Sequence, residues 1–193
     1  MNLCHQKSFF IVISFIFLTA GIAYGENHCD LFFSKGTLDD YKDCEVYLTK
    51  GSNVQKYISG LYTEGDIRFK RLRDGIRAGN ERYISLAFLI RSYADGAMLE
   101  DINIAIGSSF PQKTSYILSM FVKYKLNESS LKGILLNTGE NLVDNFQGQV
   151  DELNRRIAAL DRISNKKMAG IKKRSKKILE DEKDFLEREI RRQ

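Results

Sequence analysis

The chain has 193 residues, 43% of them hydrophobic and 28% charged, which excludes a disordered polymer and fits one ordinary domain with an appendage. Lysine and arginine exceed acidic residues by 30 to 25, a formal charge of +5 that is mild overall but unevenly placed. A single proline, Pro111, and no tryptophan leave little to interrupt helices, so an all-α chain is expected.

Residues 1–25 read as a signal peptide. Lys7 precedes an apolar run from Phe9 to Leu18, and Ala23-Tyr24-Gly25 fits small-x-small cleavage, leaving Glu26 at the mature end. A cut after Ala23 is the close second. The alternative is a retained anchor, but the run falls short of the ~20 apolar residues a span needs. No small-residue lipobox precedes a cysteine. A periplasmic or secreted location is expected. Cys4 leaves with the signal, so Cys29 and Cys44 remain as one disulfide pair. Closing a loop of about 15 residues contributes roughly 3 kcal/mol in the chain-entropy model. Their spacing matches neither Cys-x-x-Cys nor a zinc pattern, and His28 is the one histidine left, so no metal or cofactor is expected.

Residues 26–146 are expected to form the helical domain. Leu38, Tyr41, Val46 and Leu48 give a short helix an apolar side between Gly36 and Gly51, with Asp39 and Asp40 in its first turn. Asp39, Asp40, Asp43 and Glu45 lack the alternating order of a calcium loop and read as a solvated face. Ser52 or Asn53 caps the next helix, which carries Val54, Tyr57, Ile58 and Leu61. Ile67, Phe69, Leu72 and Ile76 mark another, stopped at Gly79. Asn80 opens the most apolar segment, Tyr83 to Ile90, taken as the central helix. Met98 to Ile106 reads as helix, although the alternation Ile102-Asn103-Ile104-Ala105-Ile106 also suits a strand. Gly107 to Pro111 is expected to turn. Ser115 to Lys125 is helical again, Ser129 or Ser130 starts another helix, and a further one begins near Glu140.

Residues 147–193 are expected as one long charged helix, with a possible coiled coil. Val143, Phe146, Val150, Leu153, Ile157 and Leu160 step by threes and fours through about three heptads. Beyond Leu160 a thin stripe continues through Ile171, Ile178 and Phe185. The tail thus starts docked on the body and ends exposed, or pairs with another chain, which leaves room for a homodimer. Arg162, Lys166, Lys167, Lys172, Lys173, Arg174, Lys176 and Lys177 form a basic run with no acidic residue, and acidic residues dominate from Glu180 to Glu189. The favoured reading is a solvated helix whose basic block faces the acidic block. Contact with an anionic membrane comes second. Nucleic acid comes last, because aromatics are absent from the run and export removes the chromosome.

Tyr62, Tyr93 and Tyr124 fall 31 residues apart, and three residues after each stands Gly65, Gly96 or Asn127, residues that accept a left-handed backbone. Helices stopping this way suggest stacked hairpins. The tyrosines either line a partner-binding face or pack the hairpin turns, and packing is favoured. The carboxylate pairs, Glu64 with Asp66 and Asp95 with Glu100 or Asp101, sit at expected helix ends, where capping explains them. No nucleophile elbow, phosphate loop or His-Glu-x-x-His motif occurs, so no catalysis is expected. Asn127-Glu128-Ser129 is a glycosylation sequon.

Two resemblances follow from these motifs. Ile58 to Gly65, with Ala78-Gly79-Asn80 and the 31-residue period, resembles Sel-like and tetratricopeptide-type helical repeats over residues 55–127. That implies an adaptor or scaffold of an envelope or secretion complex. Residues 83–146 resemble the periplasmic immunity proteins of the Rap/Tai type. The likeness is carried by Tyr83-Ile84, Phe110-Pro111, Thr114, Ile117-Leu118, Phe121-Val122-Lys123-Tyr124, Asn127-Glu128, Leu142-Val143 and Phe146. Ser109 and Arg82 stand where that family has cysteine and glycine, so its disulfide pattern is not carried over. This second resemblance implies an exported, non-catalytic inhibitor of a secreted cell-wall-degrading effector. A protein partner, a secreted hydrolase or an envelope component, is expected in either case.

Overall fold

The computed structural model describes residues 29–139 and 142–192. The expected signal segment, His28 and the helix onset expected near Glu140 lie outside them. Among the described residues the protein is all-α, built of helical hairpins with a long charged C-terminal helix and no strand. Residues 29–35 form α1, followed by α2 (Leu38–Lys50), α3 (Val54–Leu61), α4 (Ile67–Arg77), α5 (Glu81–Arg91), α6 (Gly96–Lys123), α7 (Glu128–Leu135), α8 (Phe146–Asp161) and α9 (Ala169–Ile190). The chain divides into two compact units at Phe69/Lys70, inside α4. The boundary expected after residue 146 is therefore not a domain boundary, since the body from Lys70 and the tail share one unit.

In the first unit, Thr37 caps α2 by accepting a hydrogen bond from the Asp40 amide at 3.2 Å. The Cys29–Cys44 disulfide joins α1 to α2, and both cysteines are fully buried. Around it, Phe32 lies edge-on to Phe33 and Tyr41. Tyr47 lies edge-on to Tyr57, linking α2 to α3. Aromatic pairs of this geometry add to the stabilisation from burial itself.

In the second unit α6 is the axis, with α5, α7, α8 and α9 all packed on it. The strand alternative for Ile102 to Ile106 is thus resolved as helix. The expected turn at Gly107 to Pro111 is corrected, because helical geometry continues through these residues into a kink just beyond them. Pro111 supplies no amide to the Gly107 carbonyl, and its ring crowds that carbonyl. The backbone leaves helical geometry only at Lys113 (φ −120°, ψ 27°). Ser108, Ser109 and Thr114 donate their hydroxyls to the carbonyls of Ala105, Ile106 and Phe110, so the polar side chains that suggested a turn bond back onto the helix. Burial of Ile102, Ala105, Ile106, Phe110 and Ile117 holds both halves in the core. Gly107 also provides a close approach, since a Cβ there would lie 2.6 Å from the Ile134 carbonyl oxygen on α7.

Asparagines start three helices and one turn. Asn80, Asn127, Asn145 and Asn165 accept hydrogen bonds from the amides of Arg82, Ser130, Gly148 and Lys167. Asn127 was read as a left-handed stop, but its φ is −72° and it caps α7. Lys125 takes the left-handed conformation instead (φ 48°), while the Leu126 amide bonds back to the Phe121 carbonyl. Gly65 and Gly96 do have positive φ. The helices nearest Tyr62 and Tyr93 have 8 and 11 residues, and Tyr124 caps the part of α6 that follows the kink at Lys113.

The single helix expected over residues 147–193 is two antiparallel helices. α8 ends at Asp161, a 3-10 turn spans Lys166–Met168, and α9 returns along α8. Asn165 creates the break by capping the turn with its side chain. The coiled-coil seam is used inside the chain, with Val150, Leu153 and Leu160 buried. Val143 lies outside α8 and is 64% exposed. On α9 the buried positions are Ser175, Ile178, Leu179 and Leu186, and Phe185 of the expected stripe is exposed.

Candidate functional site

The three tyrosines stand at helix ends. Tyr62 is the C-cap of α3 and Tyr124 that of α6, while the Tyr93 amide bonds to the Ile90 carbonyl just past α5. Tyr62, 40% exposed, meets Phe69 edge-on at 5.0 Å. Tyr124 is half-buried and stacks on Phe88 at 5.7 Å, with the Lys123 ammonium 5.3 Å from its ring centre. Tyr93 is half-buried. Tyr62 belongs to the first unit and the other two to the second.

The first unit contains a polar network that sequence reasoning missed. The Tyr57 hydroxyl donates to Asp30 at 2.9 Å, and Arg68 donates to the same carboxylate oxygen at 2.8 Å. Arg68 also holds Asp66 through Nε and Nη2, at 3.1 and 2.6 Å, and its guanidinium carbon lies 5.7 Å from the Tyr57 ring centre. Hydrogen bonding from Arg68 lowers the Asp66 carboxyl below its ordinary range. Burial first, then the charge of Asp30, raises the Tyr57 hydroxyl well above the usual range for tyrosine. The network ties α1, α3 and the start of α4 together. Its one sequence signal was Asp66 ahead of an apolar helix.

The second unit hides another missed residue. Arg156 is 1% exposed, although the seam read from sequence assigned that side of α8 to Ile157. Its guanidinium donates to the carbonyls of Leu135 at 2.7 Å and Asn137 at 3.0 Å, and to Glu152 at 2.9 Å. Burial pulls its pKa down, and the Glu152 charge opposes this. Arginine nevertheless keeps its proton in proteins. It satisfies carbonyls at the end of α7 that no helical amide reaches. The available signal was its position three residues after Leu153 and four before Leu160.

The basic run divides by what its side chains do. Lys172 donates to the carbonyls of Asp161 and Ile163, lacing the α8–α9 turn. Lys176 pairs with Asp161 at 2.7 Å and Lys177 with Asp181 at 2.9 Å. Hydrogen bonds to these carboxylates raise both lysines above their ordinary value. Basic and acidic blocks thus meet within α9, in Lys177–Asp181, whereas the cross-hairpin pair of Lys176 is with Asp161 at the end of α8. The side chains of Arg162, Lys166, Lys167 and Lys173 are exposed and make no hydrogen bond or ion pair with a described residue. Arg174 lines a cleft of about 270 Å³ between α7 and α9, with Glu128, Lys132, Leu136, Lys177, Ile178, Asp181 and Glu182.

The carboxylate pairs do not converge. Glu64 and Asp95 are both exposed. Asp66 is committed to Arg68, and Asp101 pairs with Arg73 at 3.2 Å. Among the described residues no three potential metal ligands gather, and no helix is long and apolar enough to cross a membrane. Fold and side chains together define an all-α, disulfide-bonded protein with a basic hairpin turn. No protein-family model, curated protein or solved structure matches the chain. The two resemblances therefore rest on their motifs alone.

Proposed function

We propose that this is an exported, non-catalytic helical protein that binds another protein, and in its sharpest form an immunity or inhibitor protein against a secreted cell-wall-degrading enzyme. The observation that carries the reading is the surface of the disulfide-bonded unit. Leu38 and Val46 are 46% and 56% exposed and lie two turns apart on α2, and Ile67 at the start of α4 is 53% exposed. Large apolar side chains left in water on a cross-linked support suit a protein partner. The buried disulfide suits an oxidising compartment.

The test is affinity capture with the oxidised chain from Glu26, beside Leu38→Glu/Val46→Glu. One hydrolase at equal stoichiometry, inhibited on binding and lost with the double variant, is the expected result. Several envelope proteins at low stoichiometry, or a hydrolase captured without loss of activity, would sink the inhibitor reading in favour of an adaptor.

A further inference from the structure

We propose that the α8–α9 turn is a docking surface for an anionic lipid bilayer, with Arg162, Lys166, Lys167 and Lys173 as the contacts. Among the described residues these are the four members of the basic run that neither pair nor line the charged cleft. Lys172 donates to carbonyls of the hairpin, and Lys176 and Lys177 pair with its carboxylates, so all three are held internally. Asp161, the carboxylate nearest in sequence to Arg162, is occupied by Lys176.

The turn is built rather than loose. Asn165 caps it, Lys172 laces it, and the Ser115 hydroxyl of α6 approaches the Met168 sulfur at 4.0 Å. Between the cations Ser164, Ala169 and Gly170 are small and exposed, while Ile163, Met168 and Ile171 are half-buried. A Cβ placed on Gly170 would meet nothing within 4 Å, so this side is open to a flat surface.

Three of the four cations are lysines, which act as point charges without the planar fork of arginine. Point charges spread around a turn match a plane of headgroup charge better than a shaped acidic partner. No aromatic residue lies between Arg162 and Lys177 to stack on bases, which disfavours single-stranded nucleic acid. No large apolar side chain stands exposed at the turn, where Ile163, Met168 and Ile171 are half-buried, so docking is electrostatic, reversible and abolished by salt.

The apolar leader would partition into any vesicle, so the test uses the oxidised chain from Glu26, which keeps every described residue. Cosedimentation is measured with phosphatidylcholine vesicles, with and without phosphatidylglycerol, at low and high salt. Binding is expected only with phosphatidylglycerol and only at low salt. Lys166→Gln/Lys167→Gln should weaken it roughly 25-fold, at about fivefold per cation. Lys176→Gln/Lys177→Gln removes the same charge and should weaken it less than about fivefold, because those lysines already carry carboxylate partners. Equal losses in the two pairs would reduce the effect to net charge and overturn the turn as the contact. Binding to RNA or to an acidic protein without vesicle binding would overturn the lipid assignment. Unchanged near-ultraviolet circular dichroism in both variants excludes unfolding as the cause.

Discussion

Two side chains show how much a single residue decides here. Arg156 is buried because three sets of acceptors converge on it: the Glu152 carboxylate and the carbonyls of Leu135 and Asn137. Removing the guanidinium leaves those carbonyls buried without a donor. Arg156→Met, which roughly keeps the volume, is expected to lose about 3 kcal/mol in urea unfolding, and an unchanged midpoint would mean that water replaces the guanidinium. Asp66 carries the acid response of the first unit. Its carboxyl is held low by Arg68, so it takes up a proton less readily folded than unfolded. Its contribution is therefore complete above the unfolded value and disappears as pH falls through the lower folded value. Stability should decline as pH drops below about 4. Urea midpoints against pH should show a shallower decline for Asp66→Asn than for the unsubstituted chain.

At the scale of elements, the disulfide acts on the segment with the least helix of its own. α1 spans only residues 29–35, too short to persist alone, and Cys29 anchors it to α2. Reduction, or Cys29→Ala/Cys44→Ala, should cost roughly 3 kcal/mol by freeing a loop of 15 residues. Hydrogen exchange would show whether the loss concentrates, as expected, in α1 and α2 rather than in α6. α6 illustrates the reverse case. Pro111 and the serines around it favour a turn by local chemistry, yet the apolar residues on both sides are buried in one core. Burying several large apolar side chains is worth more than one missing helical hydrogen bond and a local kink.

For the molecule as a whole, α8 and α9 are structural members of the second unit rather than an appendage. α8 covers α6, α9 covers α7 and α6, and Arg156 closes the end of α7. A chain ending at Phe146 is therefore expected to lose the fold of residues 70–146, with dye-binding apolar surface and a collapsed near-ultraviolet spectrum. A native spectrum in that truncation would refute this account of the hairpin. Partner mapping consequently depends on surface substitutions, because truncation would confuse loss of fold with loss of contact.

What could be read from the chain alone was what local chemistry governs. Helical periodicity and the single proline predict an all-α protein. Two cysteines lie outside the expected signal segment and pair as expected, and Asn80 and Gly65 act within a turn of their own positions. Whatever depended on a distant neighbour was settled only by tertiary structure. Arg156 rather than Ile157 faces inward because carbonyls of α7 stand opposite it. The tail folds back because Asn165 caps a turn there and both helices find apolar surface on α6 and on each other. Eight basic residues look alike in sequence, but four at the turn pair with no described residue, because whether a lysine meets a carboxylate depends on which residues the fold brings within reach of its side chain.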